Sequence, residues 1–249
     1  MLKVLASHPD NVLTINQMVM LTQGVGLVRQ SAAWNDRNLR LDPHSPVPQY
    51  RRALKLWSLG QLEEADQAID RAMQLWPRHP SVWNARMMLF AFTGRPEAGL
   101  ALLDEERSRP PSLRRPGLDL WRVSLRALRS RSASDVRAAR EANVAAAPRS
   151  PGFANVAMPT LAMLGELDAA FEVAFGYFLR RGPLVTTLWE GAGELPVAAL
   201  RWRRSLALFV PPAAPMRADP RFMTLMDGMG ITRYWRQRNV RPDYQLSAA

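Results

Sequence analysis

The sequence has no cysteine in 249 residues, which removes disulfides, thiolate metal ligands and cysteine nucleophiles together. It has almost no lysine either. Lys3 and Lys55 are the only two, so the 33 basic residues that outweigh 22 acidic ones and give a net charge of +11 are nearly all arginine. Long apolar runs are also missing, since the most hydrophobic stretch, Val156 to Leu164, is broken by Pro159 and Thr160 and falls short of the roughly 18 residues of a membrane span. The amino terminus, MLKVLASHPD, has too short an apolar run for a secretory signal and no small-residue cleavage pattern. A cytoplasmic protein without a membrane anchor is expected. What is present is an ordinary globular composition, 47% hydrophobic and 22% charged, long enough for a sizeable core.

Prolines that close an apolar helical run recur at Pro9, Pro43, Pro77, Pro111, Pro148 and Pro183, spaced 34, 34, 34, 37 and 35. Glycines keep the same period at Gly26, Gly60, Gly94 and Gly165. The gap of 71 between the last two covers about two units, and small polar residues around Ser130 and Ser132 stand where a glycine is missing. Each unit reads as two helices joined by a tight turn. In the clearest unit, Ala53, Leu54, Leu56 and Trp57 have helical spacing before Gly60. Leu62, Ala65, Ala68, Ile69, Ala72, Met73 and Leu75 then mark a buried stripe that Pro77 ends, because proline cannot continue the hydrogen-bond ladder. The next unit repeats this with Trp83, Met87 and Phe90 before Gly94, and Leu100 and Leu103 before Pro110 and Pro111.

In the order small, large, turn, small, large, small, proline, the residues Ala53, Leu56, Gly60, Ala65, Ile69, Ala72 and Pro77 resemble a tetratricopeptide repeat. Repeat-like chain covers residues 5 to 183, with Asn35 and Asn38 on the second helix of the first full unit and Glu106 where a small residue is usual. The tail is similar to that of a bacterial group of tetratricopeptide proteins. The likeness rests on Pro215, Arg217, Asp219, Pro220, Arg221, Phe222, Gly230, Tyr234, Trp235, Pro242 and Asp243. In that group the repeats often follow a winged-helix or nucleotide cyclase domain, whereas this chain opens almost at once in a repeat. The resemblance implies an all-α fold: a right-handed helix-pair solenoid over residues 1–210 and a short helical capping tail over 211–249, with Asp219 capping a helix from Pro220.

On such a solenoid the first helices line a concave groove, and aligning on the prolines gives ladders along it. One ladder holds Asn16, Tyr50, Asn84 and Trp121; a second holds Met20, Leu54, Met88 and Leu125; a third holds Gln23, Trp57, Ala91 and Leu128. Amides, rings and thioethers suit a peptide or helix. Partner contacts are therefore expected at Asn16, Met20, Tyr50, Leu54, Trp57, Asn84, Met88, Trp121 and Leu125. The competing occupant is the tail itself, whose Phe222, Leu225, Met226, Ile231, Tyr234 and Trp235 need burial.

The charge is concentrated. Residues 107–140 hold ten arginines against two aspartates, and 201–249 add nine against three. Arg122, Arg126 and Arg129 fall at i, i+4 and i+7 on one helix face, which suits phosphates or carboxylates. The alternative to a protein-interaction scaffold or regulatory adaptor is thus a regulator that contacts nucleic acid or another polyanion through zones 107–140 and 201–241. Catalysis and cofactors are not expected. The pairs Glu63-Glu64 and Glu105-Glu106 diverge around a helix, and Gly24-Val25-Gly26 lacks the strand and third glycine of a dinucleotide loop. His8, His44 and His79 are separated by about one repeat each, too far apart to share a metal ion.

Overall fold

The computed structural model describes residues 1–186 and 205–246. The chain is all-helical, with no strand among the described residues. Its helices are α1 (Leu2–Ser7), α2 (Val12–Gly24), α3 (Val28–Leu41), α4 (Pro46–Ser58), α5 (Leu62–Leu75), α6 (Pro80–Phe92), α7 (Pro96–Asp104), α8 (Arg115–Ser130), α9 (Ala133–Ala146), α10 (Pro151–Leu164) and α11 (Leu167–Ala174). Three tail helices follow: α12 (Ala214–Ala218), α13 (Arg221–Gly228) and α14 (Ile231–Arg238). Two compact units divide the residues, one comprising Met1–Leu89, Asp104–Leu113 and Arg241–Ala249, the other Phe90–Leu103 and Arg114–Val240.

The starts and stops of these helices are local chemistry. Pro46, Pro80, Pro96 and Pro151 open helices where a missing N–H costs nothing. Asn11 Oδ1 accepts the Thr14 N–H at 2.9 Å, Ser132 Oγ that of Asp135 at 3.2 Å and Ser150 Oγ that of Gly152 at 3.1 Å, capping α2, α9 and α10. At the turns the chain adopts the left-handed region. Gly26, Gly60, Gly94 and Gly165 have φ of 80°, 84°, 76° and 83°. Between Gly94 and Gly165 the same role falls to Arg131, with φ 55°. It is an arginine, flanked by the serines, that takes the strained position, and its guanidinium Nη1 donates to the Met163 carbonyl in the last turn of α10.

In the first unit α2 packs on α3, α3 on α4 and α4 on α5. The buried faces are small or branched: Ile15 and Val19 on α2, Ala53 on α4, and Ala65, Ala68, Ile69 and Ala72 on α5, none more than 1% exposed. Alanines let neighbouring helices approach closely. The stripe expected on α5 is narrower than its sequence suggests, because Leu62 and Leu75 are 37% and 63% exposed. They occupy the first and last positions of the helix, beyond the residues that face α4. From α6, Arg86 reaches back to α5 and forks between Asp66 and Asp70, both at 2.7 Å.

In the second unit α8 packs on α9, α9 on α10, and α10 on both α8 and α11. Trp121, Leu125, Met158, Leu161 and Phe171 form its core, and Trp121 meets the Phe92 ring at a centroid distance of 6.2 Å. A π turn, Phe175–Leu179, ends α11. Here Gly176 is obligatory, since a Cβ would lie 2.2 Å from the Leu184 carbonyl oxygen. The tail helices bury Phe222, Leu225, Met226, Ile231 and Trp235 within this unit.

A test of the turn chemistry separates backbone strain from crowding. A Cβ on Gly60 would meet nothing within 4 Å, so Gly60→Ala should cost only the left-handed penalty, about 1–2 kcal/mol in urea unfolding, and Gly60→Asn less. Gly176→Ala should cost more than Gly60→Ala, because its obstacle is backbone.

Candidate functional site

The residues expected to meet a partner fall into two classes of exposure. Asn16, Met20, Tyr50, Asn84 and Met88, on α2, α4 and α6, are half-buried. Leu54 and Trp57 are buried in the first unit, and Trp121 and Leu125 in the second. Each buried pair belongs to the core of its own unit. Among the others, Asn16 Oδ1 accepts from Asn38 Nδ2 at 3.0 Å and from Arg51 Nη1 at 2.7 Å, so it ties α2 to α3 and α4. Met20 lies beside Gln23, whose Nε2 is 3.3 Å from its sulfur, and Asn84 Nδ2 is 3.6 Å from the Met88 sulfur.

On the second unit Arg126 and Arg129 of α8 are exposed, together with Arg131, Arg137 and Arg140, while Arg122 is half-buried. Asp135 lies among them. Its carboxyl is held below the usual range mainly by a hydrogen bond from the Ser130 hydroxyl, then by Ser132, Arg126 and Arg129, with desolvation opposing. Arg140 pairs with Glu166 at 3.3 Å. Of the second basic zone, Arg201, Arg203 and Arg204 lie outside the described residues.

The tail pattern resolves into contacts. Asp219 caps α13 by accepting the Arg221 N–H at 2.9 Å, and the Arg221 side chain closes a ring of charge by binding Asp219 Oδ2 at 2.8 Å and Asp168 Oδ1 at 2.7 Å. Its guanidinium also lies 4.4 Å from the centre of the Phe171 ring. These bonds push the Arg221 guanidinium up and hold the Asp219 carboxyl down, each with the other as its first cause. Arg217 Nη1 binds the carbonyls of Leu208 and Val210, at 3.0 and 2.8 Å. In the first unit, Asp243 donates its N–H to the Gly26 carbonyl at 3.0 Å and accepts the Arg29 N–H on Oδ2 at 2.8 Å. No side chain of its own caps α3. Asp243 supplies that cap from 214 residues away.

Sequence reasoning missed a buried polar seam in the first unit. Asn35 and Asn38 are 1% and 2% exposed, and Asn35 Nδ2 donates to the Pro48 carbonyl at 2.9 Å. Lys55 is 1% exposed, with Nζ 3.1 Å from Gln23 Oε1. Burial pushes this amine down to about 7, the Arg51 charge adds to the fall and Asp36 opposes it. A usable signal existed: one period after Lys55 stands Leu89, fully buried, so a lysine at that repeat position was already anomalous.

No protein-family model matches the chain, and no curated protein matches it. Among the described residues no helix is long and apolar enough to cross a membrane, and no group of three or more histidine or carboxylate side chains is placed to hold a metal ion.

Two outcomes follow from the buried contacts. With its pKa lower folded than unfolded, Lys55 withholds stability at pH 7 and below and restores it as pH rises from about 7 towards the ordinary lysine range. Lys55→Met should therefore remove a rise in stability between pH 7 and 10, with its largest advantage over the natural chain at the acid end of that window. Asp243→Ala should cost about 1 kcal/mol and speed hydrogen exchange at the Arg29 amide.

Proposed function

We propose that the chain is a tetratricopeptide-type helix-pair solenoid that acts as a protein-interaction scaffold or regulatory adaptor in the cytoplasm, holding a peptide or helix against its first helices without catalysis of its own. The observation that carries this reading is the succession of left-handed residues at Gly26, Gly60, Gly94, Arg131 and Gly165, each joining two helices and separated by 34, 34, 37 and 34 positions. Repetition at that interval is what a stack of equivalent helix pairs requires. The half-buried Met20, Tyr50, Asn84 and Met88 offer apolar and amide contacts, while Leu54 and Trp57 are buried in the same unit.

A photoreactive amino acid placed at Tyr50 or Met88 should give discrete covalent adducts with a partner in the native cell. One placed at Gln67, exposed on the second helix α5, should give none. Equal adduct yield at all three positions overturns the reading.

A second reading has its own observation, the exposure of Arg126 and Arg129 on α8, Arg131 at the turn and Arg137 on α9. Such a face takes a polyanion. Affinity for duplex DNA should fall steeply with salt, and Arg126→Ala with Arg129→Ala should lower the logarithmic salt slope by about 2 if each contacts one phosphate. An unchanged slope removes this reading.

A further inference from the structure

In the first unit the first helices carry charge of one sign. α2, α4 and α6 contain no Asp or Glu, and their charged residues are Arg51, Arg52, Lys55 and Arg86. The second helices α3 and α5 hold Asp36, Glu63, Glu64, Asp66 and Asp70. These carboxylates engage two of the four cations, since Arg86 forks between Asp66 and Asp70 and Arg52 lies 3.6 Å from Asp36. Lys55 is 1% exposed and bonds Gln23. Arg51 is left. It is half-buried, and among the described residues it forms no ion pair and one hydrogen bond, from Nη1 to Asn16 Oδ1 at 2.7 Å. Asn16 Oδ1 also accepts from Asn38 Nδ2 at 3.0 Å. Two donors on that oxygen fix the orientation of the amide, and its Nδ2 has no acceptor among the described residues. Apolar groups stand on both sides. Leu13, Asn16 and Met20 recur at i, i+3 and i+7 on one face of α2, Leu13 is 77% exposed, and the Arg51 guanidinium lies 6.0 Å from the centre of the Tyr50 ring.

We propose that this α2–α4 surface binds an apolar peptide segment carrying one acidic side chain, whose carboxylate takes the remaining N–H groups of Arg51 and Asn16 while its apolar side chains cover Leu13, Met20 and Tyr50. The proposal rests on the interaction reading of the first helices and adds the chemistry of the partner. One cation matches one carboxylate. A half-buried guanidinium without a counter-charge has already lost part of its hydration, so a carboxylate that meets it gains a charge-assisted bond. A segment with no carboxylate leaves Arg51 covered and unpaired, and a basic one adds repulsion, so the same residue that attracts the right partner rejects the wrong ones. A nucleic acid fits poorly here. Its phosphates repeat along the strand and are met by several cations in line, whereas α2 has none.

The test selects peptides on the full natural chain from a phage library of random dodecapeptides fused through their carboxy ends, so that no peptide terminus offers a carboxylate. Enriched sequences should carry one Asp or Glu among apolar residues. The strongest of them, synthesised with an amidated carboxy end, should lose roughly tenfold in affinity when its carboxylate is exchanged for the amide. Arg51→Gln should weaken the acidic peptide by a similar factor and leave the amide version unchanged, Arg51→Lys should restore part of the loss, and Glu63→Gln on α5 should change nothing. Enrichment of apolar peptides without a carboxylate overturns the proposal and leaves the interaction reading standing. No enrichment, or a selected carboxylate indifferent to Arg51, overturns the proposal too, and so does duplex DNA that displaces the peptide with the same dependence on Arg51. Because the amide exchange is made in the peptide, it does not depend on any variant folding.

Discussion

Each helix pair depends on one backbone constraint, a single residue with positive φ between its two helices. With that residue in the left-handed region the chain reverses within a few positions, and α3 returns onto α2, α5 onto α4, α9 onto α8 and α11 onto α10. Gly26, Gly60, Gly94 and Gly165 meet the constraint without steric cost. Arg131 meets it at a cost, partly offset by the bond from its guanidinium to the end of α10. The small side chains at Ala65 and Ala72 matter only because this turn has already brought the helices together.

The tail shows how scattered residues acquire a common purpose. Asp219, Arg221 and Phe222 are adjacent in sequence, yet one caps a helix, one bridges to Asp168 over the face of Phe171, and one is fully buried against Phe209. Arg217 gathers the carbonyls of Leu208 and Val210. Removing Arg221 takes a donor from the Asp219 and Asp168 carboxylates at once. Asp243 acts in the other unit, on the turn at Gly26 and the first turn of α3.

The helical class, the turn glycines and the helix-ending prolines were legible in the sequence because they depend on local backbone chemistry that a period of 34 repeats. The position of a tail helix after Asp219 was legible for the same reason. What was not legible depends on partners distant in sequence. Asn38 and Asn143 stand at the repeat position where Ala72 stands, five residues before their prolines, and spacing alone does not reveal that each finds an acceptor for its Nδ2, Asn16 for one and Ser124 for the other. Leu54, Trp57, Trp121 and Leu125 were placed in a groove by alignment but are buried. An apolar side chain on a first helix faces either solvent or its own neighbours, and periodicity does not distinguish the two. Lys55 was passed over because a lone lysine reads as surface.

The cap that Asp243 places on α3 also bears on the order in which the molecule can be completed. A ribosome releases the chain from its amino end, so α3 emerges 214 residues ahead of the carboxylate that finishes its first turn. Throughout synthesis that turn is left to water. The α2–α3 pair is thus closed only after residue 243 has been made, and a nascent chain halted before that residue carries an open helix start that the finished protein does not.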